Sequence, residues 1–310
     1  MHVPQVSVVI TNYNRADLLA KAIESVIGQT WQDFEIVIVD DGSRDHSVEV
    51  IESFRQRLPD KINLYTHEGH SNRGIVPTYQ LAISKARGEY VAFLEHDDRW
   101  TSGYLAGKAA ILRAHPEVGV VFSPYRVVGN GWFGRDMMLR QFLLRMTIRT
   151  TEPFDNFANL LKSNNVATFS CFMTRRSLLE SLPVPPGPTL AFDWWILTYL
   201  SMRTLFHYDG SSHTLWRWSK QSAIGQQSFE THRSQGCTFM ELMYERVGSD
   251  IDSLPVEKYE IFRRSREEFA LFLSFYLRPG VTSFVKFLRR APVWALASTA
   301  SLVINHLKFE

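Results

Sequence analysis

Three carboxylates fall within four positions in "EHDD", residues 95–98, directly after the apolar run Tyr90 to Leu94. Like charges so close repel, so Glu95, Asp97 and Asp98 need either full hydration or a cation. Hard oxygen donors at this spacing suit a divalent ion such as Mn2+ or Mg2+, shared with phosphate oxygens; a solvated turn is the alternative. A second acidic pair stands in "DDGS", residues 40–43, after the run Phe34 to Val39. Asp40 and Asp41 suit the hydrogen-bond donors of a nucleotide base or ribose, and they equally suit capping of a turn and the following helix. A third polar cluster, "TNYNR" at 11–15, follows the β-branched run Val6 to Thr11.

The elements that must position these clusters can be read from periodicity. Val6–Thr11, Phe34–Val39, Ile62–Thr66 and Tyr90–Leu94 read as strands. Between them, Ala16–Gly28, Ser43–Leu58 (with Ser43 as N-cap) and Ile75–Ala86 have helical spacing, and Pro77 falls in a first turn where proline is tolerated. Strands alternating with helices give a mostly parallel sheet with helices on both faces. Ligands in such sheets sit beyond the carboxyl ends of the strands, so the three clusters are expected on one rim. Farther on, Tyr104–His115 reads as a helix, 117–128 and 167–175 as strands, "RRSLLESL" as a short helix, 183–189 as a proline-rich turn and 193–202 as a helix beginning at a carboxylate. Residues 129–165 read as a long excursion, and 230–275 as mainly helical.

The totals bound the class. The chain has 310 residues with 45% hydrophobic and 21% charged content, an ordinary globular balance. A formal net charge of +2 gives no bulk electrostatic case for nucleic acid. The two cysteines, Cys171 and Cys237, read as small packed residues of a reducing compartment. The N-terminus lacks the features of a signal peptide, so residence on the cytoplasmic side is expected. The turn "TNYNRADLL" holds no glycine, and no G-x-x-x-x-G-K-[ST] run exists, so phosphate handling by a loop of amides is not expected.

The segments "VSVVITNYNRADLLAKAIESVIGQTWQDFEIVIVDDGSRDHS", "NRGI" and "ARGEYVAFLEHDDRW" together resemble the nucleotide-binding half of a family 2 glycosyltransferase of the GT-A fold. The resemblance implies a domain over residues 1–225, with a nucleotide-binding half (1–100) and an acceptor half (101–225), and a helical extension over 226–310. It implies inverting transfer of a hexosyl or deoxyhexosyl group from a nucleotide-diphosphate sugar to a glycan or lipid-linked acceptor, in surface polysaccharide assembly. Thr11 and Tyr13 would flank the base, and Asp40, supported by Asp41, would bind base or ribose. Asp97 and Asp98 stand at the family's D-x-D position and would meet metal and diphosphate. Glu95 stands where the family often has Asp. Tyr79 stands where the family often has Arg, and Arg73 could supply the charge instead. "WRWS" at 216–219 puts Ser219 where many members have a metal-binding histidine, with His213 six residues earlier.

Asp193, in "TLAFDWWILTYL", stands where the family places the base that takes the acceptor proton, and also reads as the N-cap of its helix. Trp194, Trp195, Trp216 and Trp218 cluster near it and suit stacking on sugar rings as well as core packing. Arg217 or Arg73 would face the departing diphosphate. The tail 279–309 is short and polar for a spanning helix; it suits a peripheral membrane contact at the inner face of the plasma membrane, or packing on the catalytic domain. The rival from another class is a nucleotide-sugar-binding protein without transfer activity. A sugar nucleotidyltransferase would require a Gly- and basic-rich loop after the first strand.

Overall fold

The computed structural model describes residues 2–128, 152–162, 164–185, 191–217, 219, 229–250 and 254–277. The expectations for 129–151, for most of the proline-rich turn, for Trp218 and for the tail lie outside the described residues, as does the side chain of Cys237.

Strands β1 (Val6–Asn12), β2 (Phe34–Asp40), β3 (Ile62–Thr66) and β4 (Tyr90–Glu95) alternate with helices α1 (Ala16–Ile27), α2 (Ser47–Arg57) and α3 (Ile75–Lys85). After the two-residue β5 (Arg99–Trp100) come α4 (Tyr104–Ala114), β6 (Val118–Phe122), β7 (Tyr125–Val128), α5 (Phe157–Leu160) and β8 (Phe172–Arg175). Then follow α6 (Phe192–Ser201), β9 (Leu205–Tyr208), β10 (Thr214–Arg217), α7 (Phe229–Asp250) and α8 (Val256–Leu277).

The main sheet has seven strands in the order β3-β2-β1-β4-β8-β6-β9. Its pairs are parallel except those of β8, which runs antiparallel to β4 and β6. This is the α/β architecture, a largely parallel sheet flanked by helices, that the alternation predicts. Val8, Ile10, Ile36, Ile38, Ala92 and Leu94 are fully buried, and α1 packs Leu19, Ala22, Ile23 and Val26 into the same core. Each such Val, Ile or Leu side chain contributes about 1.5–3 kcal/mol by leaving water. A second sheet of three strands, β5-β10-β7, stands beside it.

Three local expectations are corrected. Residues 117–128 form two strands in different sheets, because Pro124 cannot donate to a ladder and the Ser123 amide turns to Cys171 O (2.9 Å). The helix α2 starts at Ser47 and not Ser43; the Asp45 carboxylate accepts from the Ser47 amide (3.0 Å), leaving Ser43 to the strand-end loop. Residues 169–171 form a 3-10 turn, and only Phe172–Arg175 are strand.

The chain divides into two compact units, residues 1–156 with 165–232, and residues 157–164 with 233–310. The division differs from a boundary at 225/226 in giving 157–164 to the second unit. The described residues of that unit are mainly helical: Tyr244 stacks on Phe269 (5.2 Å between centroids) and donates its hydroxyl to Leu161 O (2.8 Å). Lys162 pairs with Glu268 (3.2 Å). Among the described residues no helix is long and apolar enough to cross a membrane.

Candidate active site

Parallel pairing places Asn12 beside Asp40, and Thr11 beside Glu95. The three polar clusters therefore share one rim, at the carboxyl ends of β2, β1 and β4. The antiparallel β8 brings its beginning, not its end, to that rim.

The loop after β2 is an internally bonded unit. Asp40 is fully buried; its Oδ1 accepts the Ser43 amide (2.8 Å), and its Oδ2 accepts the Ser43 hydroxyl (2.6 Å) and Asn12 Nδ2 (2.9 Å). Asp41 is 5% exposed and accepts the amides of Arg73 (2.7 Å) and Gly74 (2.9 Å), fastening the start of α3 to this loop. Gly42 has φ +78, and a Cβ there would lie 2.8 Å from Asn72 N and His70 O, so two backbones meet where only glycine fits. Asn14, at φ +52, accepts the Arg44 amide at its Oδ1 (2.7 Å). Tyr13 is 44% exposed on this rim. Arg73 is exposed, its Nε donating to the Ser71 hydroxyl (3.1 Å).

The cluster after β4 is held differently. Asp98 is fully buried, with Oδ1 accepting the Arg217 amide (2.9 Å) and Oδ2 without a hydrogen-bond partner. Burial, then the charges of Glu95 and Asp97, push the Asp98 carboxyl well above the ordinary carboxylate range. Burial, then Asp97 and Asp193, push Glu95 up to about 8 against the hydrogen bond from Thr168. The Thr168 hydroxyl donates to Glu95 Oε2, and the Glu95 amide donates to the Ser170 hydroxyl (3.0 Å). His96 sets its Nδ1 against Thr11 O (3.1 Å), and burial lowers its pKa.

Tyr79 of α3 is 3% exposed, stacked on Phe169 (3.9 Å), with the Thr11 hydroxyl at its phenol. Burial and then Glu95 raise its pKa, and Asp193 and Asp98 add to the rise, so all three carboxylates lie within electrostatic range of one phenol. Asp193 is 7% exposed in the first turn of α6; the N-cap is Ala191, which corrects the capping expectation. Asp193 Oδ1 instead accepts the Trp194 amide (2.7 Å). Trp194 is half-buried. Trp195 is corrected to a core residue: 1% exposed, it donates Nε1 to Pro183 O (2.8 Å) and presents no free face to a sugar. Trp216 packs edge-on against Tyr125 (5.4 Å).

The three carboxylates after β4 are not a complete metal set. Among the described residues no group of three His, Cys, Asp or Glu side chains could hold a metal ion. Glu95 is turned toward Thr168. Asp97, partly exposed, and Asp98, with its partnerless oxygen, fit a divalent cation as a partial shell that other oxygens must complete. Sequence reasoning missed Thr168 and Ser170, which lie more than 70 positions beyond Glu95 and carry no motif.

Residues 7–182 match the family described as Glycosyl transferase family 2. An uncharacterized glycosyltransferase of Nostoc is 40% identical over 126 residues, 41% of this chain and 38% of the relative. The GalNAc(5)-diNAcBac-PP-undecaprenol beta-1,3-glucosyltransferase of Campylobacter jejuni is 34% identical over 103 residues, 33% of each. The chain spans 38%, 15% and 52% of the first curated relatives it matches, about half or less of their length. Among solved structures, a mannosyltransferase of Pyrobaculum calidifontis in complex with GDP-Man and Mn2+ superposes with a TM-score of 0.64 at 19% identity, covering 98% of this chain and 81% of that one. S. aureus TarS in complex with UDP-GlcNAc gives 0.62 at 18%, covering 94% and 81%. At such identities these structures speak to the fold, which is GT-A. The family match covers more than half of the chain and takes in β1 through β4, the acidic clusters and β8: the chain belongs to glycosyltransferase family 2.

Proposed function

We propose that this chain transfers a sugar, with inversion, from a nucleotide-diphosphate donor to an acceptor hydroxyl, in the assembly of a cell-surface glycan. The observation that carries the reading is the grouping of Glu95, Asp98 and Asp193 around Tyr79, on the rim that Asp40 and Asp41 share. Thr11 and the exposed ring of Tyr13 flank the base. Asp40 orders the nucleoside loop, since its carboxylate is sealed; direct contact with a base requires Ser43 to shift. Arg73 and Arg217 supply positive charge to the diphosphate, a role that matters most as negative charge grows on the leaving group. Asp97 and Asp98 would hold a cation, Mn2+ or Mg2+, with the remaining ligands supplied by other oxygens. When bound, such a cation neutralises the diphosphate and acts as a Lewis acid toward it.

The chemistry is a single displacement. The acceptor oxygen bonds to the anomeric carbon as the carbon–oxygen bond to the diphosphate breaks, through an oxocarbenium-like transition state. Asp193 takes the acceptor proton, and Trp194 offers the ring face for an acceptor sugar. Asp193→Asn should keep nucleotide affinity and lose about 10²- to 10⁴-fold in rate. The test is transfer and hydrolysis of UDP- and GDP-sugars with Mn2+; near-full turnover by Asp193→Asn refutes the assignment. A lipid-linked acceptor and contact with an anionic leaflet belong to the same proposal. A second reading, donor binding without transfer, draws support from the protonation-prone Glu95 and Asp98; it predicts nucleotide-sugar affinity with no turnover.

A further inference from the structure

The 3-10 turn at 169–171 and the residue before it form a structured hub beside the acidic cluster, with Thr168 directed at Glu95 and the Ser170 side chain also within reach of Asp98. The carbonyl of Ser170 accepts from Trp100 Nε1 (2.7 Å), the Tyr104 hydroxyl (2.8 Å) and the Thr214 hydroxyl (2.6 Å). The Ser170 side chain accepts the Glu95 amide (3.0 Å). The Ser170 amide donates to Thr168 Oγ1 (3.1 Å), which uses an oxygen lone pair and leaves the Thr168 hydroxyl proton for Glu95 Oε2. Phe169, between them, is stacked on Tyr79. The residue just before Thr168 is Ala167 at φ +87, a left-handed backbone that a non-glycine residue adopts only when its surroundings enforce it. Strain of this kind, three anchoring bonds to the Ser170 carbonyl, and two contacts to Glu95, one at its amide and one at its carboxylate, describe a part that holds Glu95 in place.

We propose that Thr168 is a positioning residue that draws the Glu95 carboxylate to the floor of the acidic cluster, so that Asp97 and Asp98 alone face the donor's diphosphate and its cation. The proposal rests on the glycosyltransfer reading above. Without the Thr168 hydroxyl, Glu95 is free to turn and join the other two carboxylates.

Thr168→Val keeps the shape and removes the donor. It should bind Mn2+ about tenfold more tightly in the absence of nucleotide, measured by the electron paramagnetic resonance of free Mn2+. It should also lower kcat about tenfold or more, with little change in the KM for a UDP- or GDP-sugar. Thr168→Ser should return both values to within about threefold of wild type, since the hydroxyl is restored. Thr168→Ala carries the same expectations if the valine variant does not fold. Unchanged Mn2+ affinity, weakened affinity, or a loss that serine does not restore overturns the proposal. A wild-type protein that transfers sugar without measurable Mn2+ affinity overturns it while leaving the function standing. A wild-type protein with neither transfer nor affinity for UDP or GDP overturns both.

Discussion

Asp40 and Glu95 end the two strands that flank β1, and their carboxylates are held in opposite ways. Asp40 is buried among donors: an amide, a hydroxyl and an amide side chain meet its two oxygens. Glu95 is half-buried among acids, with one hydroxyl donor and with Asp97, Asp98 and Asp193 near. A buried charge that is fully hydrogen-bonded is affordable and orders the loop around it. A buried charge facing like charges stays protonated or waits for a cation. One strand end is thus saturated with hydrogen-bond donors, and the other sets like charges against one another.

Mutations can break this contrast. The largest effect on stability is expected at Gly42→Ala, which forces a left-handed backbone on alanine and a Cβ into two facing peptide groups. A loss of roughly 2–4 kcal/mol should appear in urea melts. Asp40→Asn replaces an acceptor with a donor that meets Ser43 or Asn12 head-on, and should cost about 1–3 kcal/mol.

The neighbouring cluster should respond with the opposite sign. Glu95 binds its proton more tightly in the folded chain (about 8, against an ordinary 4.5), so its contribution to stability is complete below about pH 4.5 and is lost as pH rises through 8. Ligand-free protein should therefore lose stability across that window, and Glu95→Gln should flatten the loss, on the order of 2 kcal/mol. Asp98→Asn keeps the acceptor for the Arg217 amide and removes the ionisable group that burial and the charges of Glu95 and Asp97 disfavour. It should gain about 1 kcal/mol near pH 7.5 and lose any thermal shift with Mn2+. The smallest structural effect is expected at exposed Arg73→Ala, within about 0.5 kcal/mol, with weaker nucleotide-diphosphate affinity in a binding titration.

Much of the contrast was visible in the chain and part of it was not. Fully buried runs such as Val6–Ile10 and Phe34–Val39 announce parallel strands, and strand ends announce the rim, so the positions of Asp40 and Glu95 followed from topology. Their environments did not. "DDGS" and "EHDD" read alike as acidic turns, and what separates them is whether donors arrive from elsewhere. Ser43 is close in sequence, yet it is not the N-cap: the helix starts at Ser47 after His46, and Ser43 turns its hydroxyl to Asp40. Thr168 arrives from 73 positions away, with nothing in "VATFSC" to mark it. Trp195 looked like its neighbour Trp194 in sequence; only packing against Tyr199 and the bond to Pro183 O makes it core. The break at Pro124 was readable in principle, but a continuous apolar run hides a change of sheet.

The reversed direction of β8 has a practical consequence. In a sheet whose strands all point one way, only residues downstream of each strand reach the reactive edge, and engineers who retarget such proteins randomise those loops. Here one upstream stretch, Ala167 to Cys171, arrives at the same edge from the other direction. A mutagenesis library confined to the downstream loops would leave untouched the residues that orient the central acid.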